Sequence, residues 1–147
     1  MGNNINKKLD FSALQLAITS LTEAIDVMAD ERWFNQQKKA VQNTLTAGTI
    51  QNFKFVYELS IKMLKRQIEK ESATPEEIDF TSYRGMLRTA TEKGLIQNID
   101  AWFDYRQMRN ITSHTYDHEK AQQVYEMTSG FLKDASTLLQ KLEQRDD

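Results

Sequence analysis

At 147 residues, 39% of them hydrophobic and 27% charged, the chain has the length and make-up of one soluble domain built on a single core. The absence of cysteine excludes disulfides and thiolate metal sites. A balance of 19 basic against 21 acidic residues, net charge −2, excludes any global attraction to nucleic acid, so RNA binding would need a local cluster. One proline and five glycines supply too few turns for an all-β fold. No apolar run reaches the ~18 residues of a membrane span, and the polar opening (Met-Gly-Asn-Asn-Ile-Asn-Lys-Lys) lacks the apolar stretch of a signal peptide. A cytoplasmic protein without membrane contact is expected, with residues 1–9 as a flexible lead-in.

In chain order, Phe11, Leu14, Ile18, Leu21, Ile25 and Met28 recur in steps of three and four and fall on one helical stripe. Asp10 or Ser12 is placed to cap it, and Trp33 and Phe34 to pack over its end. A second helix is predicted from about Asn35 to Glu71, with Gly48 either interrupting it or tolerated. Its strong part carries Ile50, Phe53, Tyr57, Ile61, Leu64 and Ile68, widened by Phe55, Val56, Leu59 and Met63, the pattern of a central helix. Residues 69–79, with the lone proline, read as a loop. A short helix over 80–93 turns Tyr83, Met86, Leu87 and Ala90 inward and stops at Gly94. A further helix spans 99–111 with Trp102, Phe103 and Met108. Asp117 is placed to cap the last helix, whose stripe is Ala121, Val124, Thr128, Phe131, Ala135, Leu138 and Leu142. The expectation is an all-α, up-and-down antiparallel helical bundle occupying residues 1–147 as one domain.

The segment between the last two helices, Asp104 to His118, demands more than packing. It holds Arg106 and Arg109, both histidines, Tyr105 and Tyr116. Capping accounts for Ser113, Thr115 and Asp117, but not for Arg109, His114 or Tyr116. An arginine offers forked donors to phosphate oxygens, and a histidine moves protons near neutral pH. Five residues apart on a regular helix, Arg109 and His114 would point about 140° away from each other. They converge only if the helix ends between them, or if a two-fold dimer joins the motifs of two chains. A rival reading is a metal site built on His114 and His118, four apart, with Asp117 beside the second. It lacks a third nearby histidine or cysteine, and Thr115 stands where a zinc-protease motif has its glutamate.

Arg109-Asn110-Ile111-Thr112-Ser113-His114-Thr115-Tyr116 resembles the R-N-x-x-x-H-x-Y signature of HEPN proteins, and more narrowly that of the nucleotidyltransferase substrate-binding protein family. Ile50 through Lys62 (IQNFKFVYELSIK) is similar to that family's I-Q-x-F-E-F-x-Y-E-L-x-W-K segment. Arg88 through Ile96 (RTATEKGLI), followed by Trp102, resembles its R-x-A-x-x-x-G-L-I…W stretch. The likeness runs in order from about Phe11 to Leu142. Lys54 and Ile61 depart from the family's usual Glu and Trp.

The resemblance implies a bundle like the C-terminal domain of kanamycin nucleotidyltransferase, a homodimer, and a minimal nucleotidyltransferase as partner, together a heterotetramer. It implies no cofactor or metal held by this chain. Its first functional expectation is a substrate- or nucleotide-binding subunit of that two-component nucleotidyltransferase. The alternative is a metal-independent endoribonuclease of toxin–antitoxin type, silenced when the partner attaches AMP to Tyr116. Carried over, Arg109 holds phosphate, His114 is the acid/base, Asn110 orients the turn and Tyr116 accepts AMP. Glu58 and Lys62, one turn apart on the facing helix, complete the binding set. Tyr116 favours the ribonuclease, since substrate binding alone does not require a phenol two residues after the histidine.

Overall fold

A computed structural model describes residues 8–73, 82–114 and 116–145. The expected lead-in is therefore covered only at residues 8 and 9. Helix α1 (Ser12–Ala29) begins where Asp10 Oδ1 accepts from Ser12 N at 2.9 Å and Ser12 Oγ at 2.6 Å. Past its end, Trp33 lies in a shallow pocket with Asp26 and Val27. Asp30 accepts from Trp33 N at 3.1 Å and starts a separate short helix, α2 (Glu31–Asn35), on which Trp33 stays 39% exposed.

Helix α3 (Lys39–Glu71) begins four residues later than predicted, because α2 and the turn after it occupy that stretch. It runs unbroken through Gly48, where an added Cβ would meet nothing within 4 Å. Ile50, Phe53, Tyr57, Leu64 and Ile68 are buried as the stripe requires, and Ile61 is half-buried against the core. Phe55 is not: it sits outside that stripe and is 47% exposed. The polar run after α3 opens at Ser72, and the proline lies outside the described residues.

Helix α4 (Tyr83–Glu92) is capped by Ser82, whose hydroxyl accepts from Gly85 N at 3.0 Å. It stops as Gly94 takes φ +76°, with Gly94 N donating to Thr91 O and Leu95 N to Ala90 O. That paired closure satisfies two last-turn carbonyls and seats Leu95 in the core. Helix α5 (Ile99–Ile111) keeps its predicted limits. A single 3-10 turn (Thr112–His114) follows, and then α6 (His118–Arg145), capped by Asp117 Oδ1 accepting from Glu119 N at 2.9 Å. All seven stripe residues of α6 are buried.

The result is an all-α bundle in which α1, α3 and α6 pack along one another and α4 and α5 close the remaining side. Phe131 of α6 is its centre. Phe53, Tyr105 and Trp102 meet its ring edge-on at centroid distances of 4.8, 4.9 and 6.0 Å, the geometry that aromatic quadrupoles favour. At one end of the bundle, Glu71 closing α3 receives Arg145 of α6 at 2.6 Å and Gln67 at 2.7 Å, with Lys93 at 3.7 Å. Burial alone would raise the Glu71 carboxyl, but those hydrogen bonds and positive charges together hold it below the ordinary carboxylate range. The α5–α6 junction belongs to the other end. It hangs from a helix anchored by buried Trp102, Tyr105 and Met108, with Tyr105 Oη donating to Asp134 of α6.

Candidate functional site at the α5–α6 junction

Helix α5 ends at Ile111, between Arg109 and His114, which is one of the two ways the pair can escape divergence. The closure falls to Thr112, whose hydroxyl donates to Arg109 O at 2.7 Å. The next turn tightens to 3-10 and ends at His114, and Asp117 N returns to His114 O at 3.0 Å. His114 is exposed, and Tyr116 is 81% exposed. Their rings meet edge-on with centroids 6.1 Å apart. Tyr116 therefore projects outward and does not pack over the start of α6.

Arg109 reaches across to α3, where its Nε and Nη2 donate to the same Glu58 oxygen at 3.2 and 2.7 Å. Side-chain exposures of 39% and 42% make this a solvent-screened pair of small stabilising value. Its consequence is orientation: the guanidinium is held at the surface, and its remaining donors have no partner among the described residues. The side chains of Asn110 and Lys62 are exposed on α5 and α3, and make no hydrogen bond or ion pair within the described residues. The structure thus forms two couples, Arg109 with Glu58 and His114 with Tyr116, on either side of the helix end.

His114 closes the 3-10 turn while His118 opens α6. The continuous helical turn that would set both imidazoles on one face is not formed, which removes the geometric basis of the rival metal reading.

Beneath Arg109 lies a layer that the sequence did not reveal. Buried Tyr57 donates to Tyr83 Oη at 2.7 Å, and Tyr83 donates to Trp102 O at 3.3 Å. Burial pushes the Tyr57 phenol up, partly offset by its bond to Tyr83 and the charges of Arg106 and Arg109. Burial and the Tyr57 contact push Tyr83 up much further. Both stay neutral and serve as fixed supports. Arg106 lies over the Tyr83 ring at 4.3 Å, and Arg84 over Phe103 at 4.5 Å. These contacts cross between helices, where neither periodicity nor spacing reports them.

On the other side of Tyr116 is a groove of about 630 Å³ between the start of α3 and the start of α6. Lys39, Gln42, Asn43 and Thr46 line one wall, and Tyr116 and His118 the other. Gln42 spends its amide hydrogens on Phe34 O and Gln37 O, so its carbonyl is left to accept. The front of α3 had no apolar pattern to draw attention to it.

The chain belongs to the family described as nucleotidyltransferase substrate binding protein like, whose model matches residues 9–144. A Haemophilus influenzae relative named "Probable ribonuclease HepT" is 46% identical over 138 residues, 94% of each chain. A solved Haemophilus influenzae structure, described as revealing the fold of a substrate binding domain of a nucleotidyltransferase, is similar at 44% identity and TM-score 0.88. That match covers 91% of this chain and 99% of the other. A Thermus thermophilus structure shares the fold at 21% identity and TM-score 0.67, covering 88% and 98%. No helix of the described residues is long and apolar enough to cross a membrane.

Proposed function

We propose that this chain is a metal-independent endoribonuclease of the cytoplasm whose catalytic residues are Arg109 and His114, and that Tyr116 is the position at which a partner nucleotidyltransferase silences it by attaching AMP. The observation that carries the reading is the break of α5 at Ile111, which leaves His114 and Tyr116 exposed side by side while Arg109 is pre-set by Glu58. The ribonuclease name of the 46% identical relative supports it.

In the reaction, a ribose 2′-oxygen attacks the adjacent phosphorus as the bond to the 5′-oxygen breaks, giving a 2′,3′-cyclic phosphate and a 5′-hydroxyl. Arg109 carries the charge that builds on the phosphoryl oxygens. His114 takes the 2′-hydroxyl proton or returns one to the leaving oxygen. Each chain has one such histidine, so a two-fold dimer that faces two junctions supplies both proton transfers. Exposed Phe55, three residues from Glu58 on α3, gives that dimer an apolar contact beside the site. Modification is a displacement at the α-phosphorus of ATP: the Tyr116 phenol oxygen forms the new bond, and pyrophosphate leaves. Asn110 and Lys62, exposed near the two couples, add phosphate donors.

The test is cleavage of a labelled single-stranded RNA by the purified protein in EDTA. Activity in chelator that is lost in Arg109→Ala and His114→Ala supports the reading. Activity that vanishes in chelator and returns with magnesium or zinc contradicts it.

The groove beside Tyr116 favours a second role, that of the nucleotide-binding subunit in a heterotetramer with the nucleotidyltransferase. Lys39 suits a phosphate, and the amides of Gln42 and Asn43 suit a base edge. Calorimetric titration with ATP checks this: binding weakened by Lys39→Ala supports it, and absence of heat in both the free chain and the complex counts against it.

A further inference from the structure

Two arginines outside the signature are held in a way that structural need alone does not explain. Arg84 of α4 lies over Phe103 of α5 at 4.5 Å, and Arg106 of α5 lies over Tyr83 of α4 at 4.3 Å. The two rings meet edge-on at 6.1 Å. The result is a reciprocal stack in which each helix contributes one guanidinium and one ring. Both arginines are exposed, and neither makes a hydrogen bond or ion pair within the described residues. A guanidinium lying on a ring gains a cation–π contact through its face, while its five N–H donors stay at its edge. Stacking without a carboxylate partner therefore gives a fixed, un-neutralised fork, already relieved of much of the rotamer freedom that binding would otherwise remove.

Position adds the second element. Arg106 precedes Arg109 by three residues on α5, which puts their Cβ atoms about 5–6 Å apart along one face. Successive residues of this face, Phe103, Arg106 and Arg109, step round the helix by about 60° in one direction from the 3.6-residue turn. Arg109 thus meets α3 at Glu58, Arg106 meets α4 at Tyr83, and Phe103 carries Arg84 beyond. The positions of Arg109, Arg106 and the Phe103 that carries Arg84 thus step along α5 from its end onto the face shared with α4. Asp100 and Asp104 fall on the other side of Phe103 by the same rotation, and no ion pair joins them to these arginines within the described residues.

From this we infer that Arg84 and Arg106 form a phosphate-binding ridge that holds the backbone of single-stranded RNA next to the bond being cut. The inference rests on the ribonuclease reading and deepens it, because it says how a chain of net charge −2 grips RNA. The occupant is a polyanionic strand by charge complementarity: the two un-neutralised forks of Arg84 and Arg106, beside the Glu58-paired Arg109, match consecutive phosphates, and no base-reading group is needed. Such contacts bind through counterion release, so the ridge has a signature that a purely structural stack lacks.

The experiment measures fluorescence-anisotropy binding of a labelled 20-nucleotide single-stranded RNA to the full chain carrying His114→Ala, across a series of salt concentrations. The comparison adds Arg84→Gln with Arg106→Gln. Loss of two phosphate contacts lowers the slope of log affinity against log salt by about 1.4, at roughly 0.7 per contact for a single strand. Phe103→Leu, which keeps both charges but removes one ring, weakens binding with little change in slope. A helical circular-dichroism spectrum confirms that each variant is folded, and Arg84→Lys with Arg106→Lys restores most of the slope if the double glutamine variant proves unstable. An unchanged slope in folded variants overturns the ridge. Cleavage of the same RNA by the unsubstituted chain in EDTA separates the two ideas: cleavage with an unchanged slope removes the ridge alone, whereas absence of both binding and cleavage removes the ridge and the ribonuclease together.

Discussion

The two ends of the bundle use charged and aromatic residues in opposite ways. Where α3 and α6 finish, Glu71 collects Gln67, Arg145 and Lys93, and Arg145 also donates to Lys93 O while Lys141 donates to Gly94 O at 3.2 Å. The polar groups there satisfy one another and bind α3, α6 and the turn that closes α4 together. At the α5–α6 junction the same kinds of residue are left facing solvent. Among the described residues Arg109 has one screened side-chain partner, His114 makes an edge contact, and Tyr116 is 81% exposed. Self-satisfied polar groups report architecture, and polar groups fixed in place without being used up report function.

Substitutions at the two ends should therefore separate stability from activity. The largest effect belongs to the core that supports both. Phe131→Ala removes the ring about which Phe53, Trp102 and Tyr105 pack, and should cost about 3–5 kcal/mol in urea denaturation. At the junction, His114→Ala should reduce RNA cleavage by roughly 100-fold or more and leave the melting curve where it was; a matching loss of stability would make the junction structural after all. Glu71→Gln should destabilise the chain at neutral pH, with a definite pH dependence. A carboxyl whose folded pKa is depressed stabilises above its unfolded value, ordinarily 4.5, and that contribution fades as pH falls through the lower folded value. The difference in melting temperature between wild type and Glu71→Gln should thus be largest near neutrality and shrink on acidification below the unfolded value. A difference that does not vary with pH would mean that packing, and not charge, holds that end. Smallest is Glu58→Gln. Its pair with Arg109 is solvent-screened, so stability should change by no more than about 0.5 kcal/mol, while the KM for RNA shifts because Arg109 is no longer pre-set.

The long helices were readable from the sequence because burial has a period. Every stripe position of α6 is buried, and α5 starts and stops at the predicted residues. What stayed hidden was decided by contacts off the helical stripe. The separate short helix of Trp33 and Phe34 forms because Asp30 supplies a cap, and Phe55 is exposed although its neighbours face the core. The same holds at the site. Arg109, His114 and Tyr116 stand out by residue type and order, and a helix end between Arg109 and His114 is one of the two arrangements their spacing allows if they are to converge. The Tyr57–Tyr83 bond, the reciprocal Arg84–Phe103 and Arg106–Tyr83 stacks and the groove at Lys39 join residues far apart in the chain. No local pattern encodes them.

The central claim is that the junction's exposure is there to be acted on, and Tyr116 tests it most directly. Intact-mass spectrometry of this chain after co-expression with the nucleotidyltransferase proposed as its partner should show one or more added AMP groups on the wild type and none on Tyr116→Phe, with RNA cleavage lost only in the modified protein. A Tyr116→Phe chain that is modified and silenced as fully as the wild type would contradict the account.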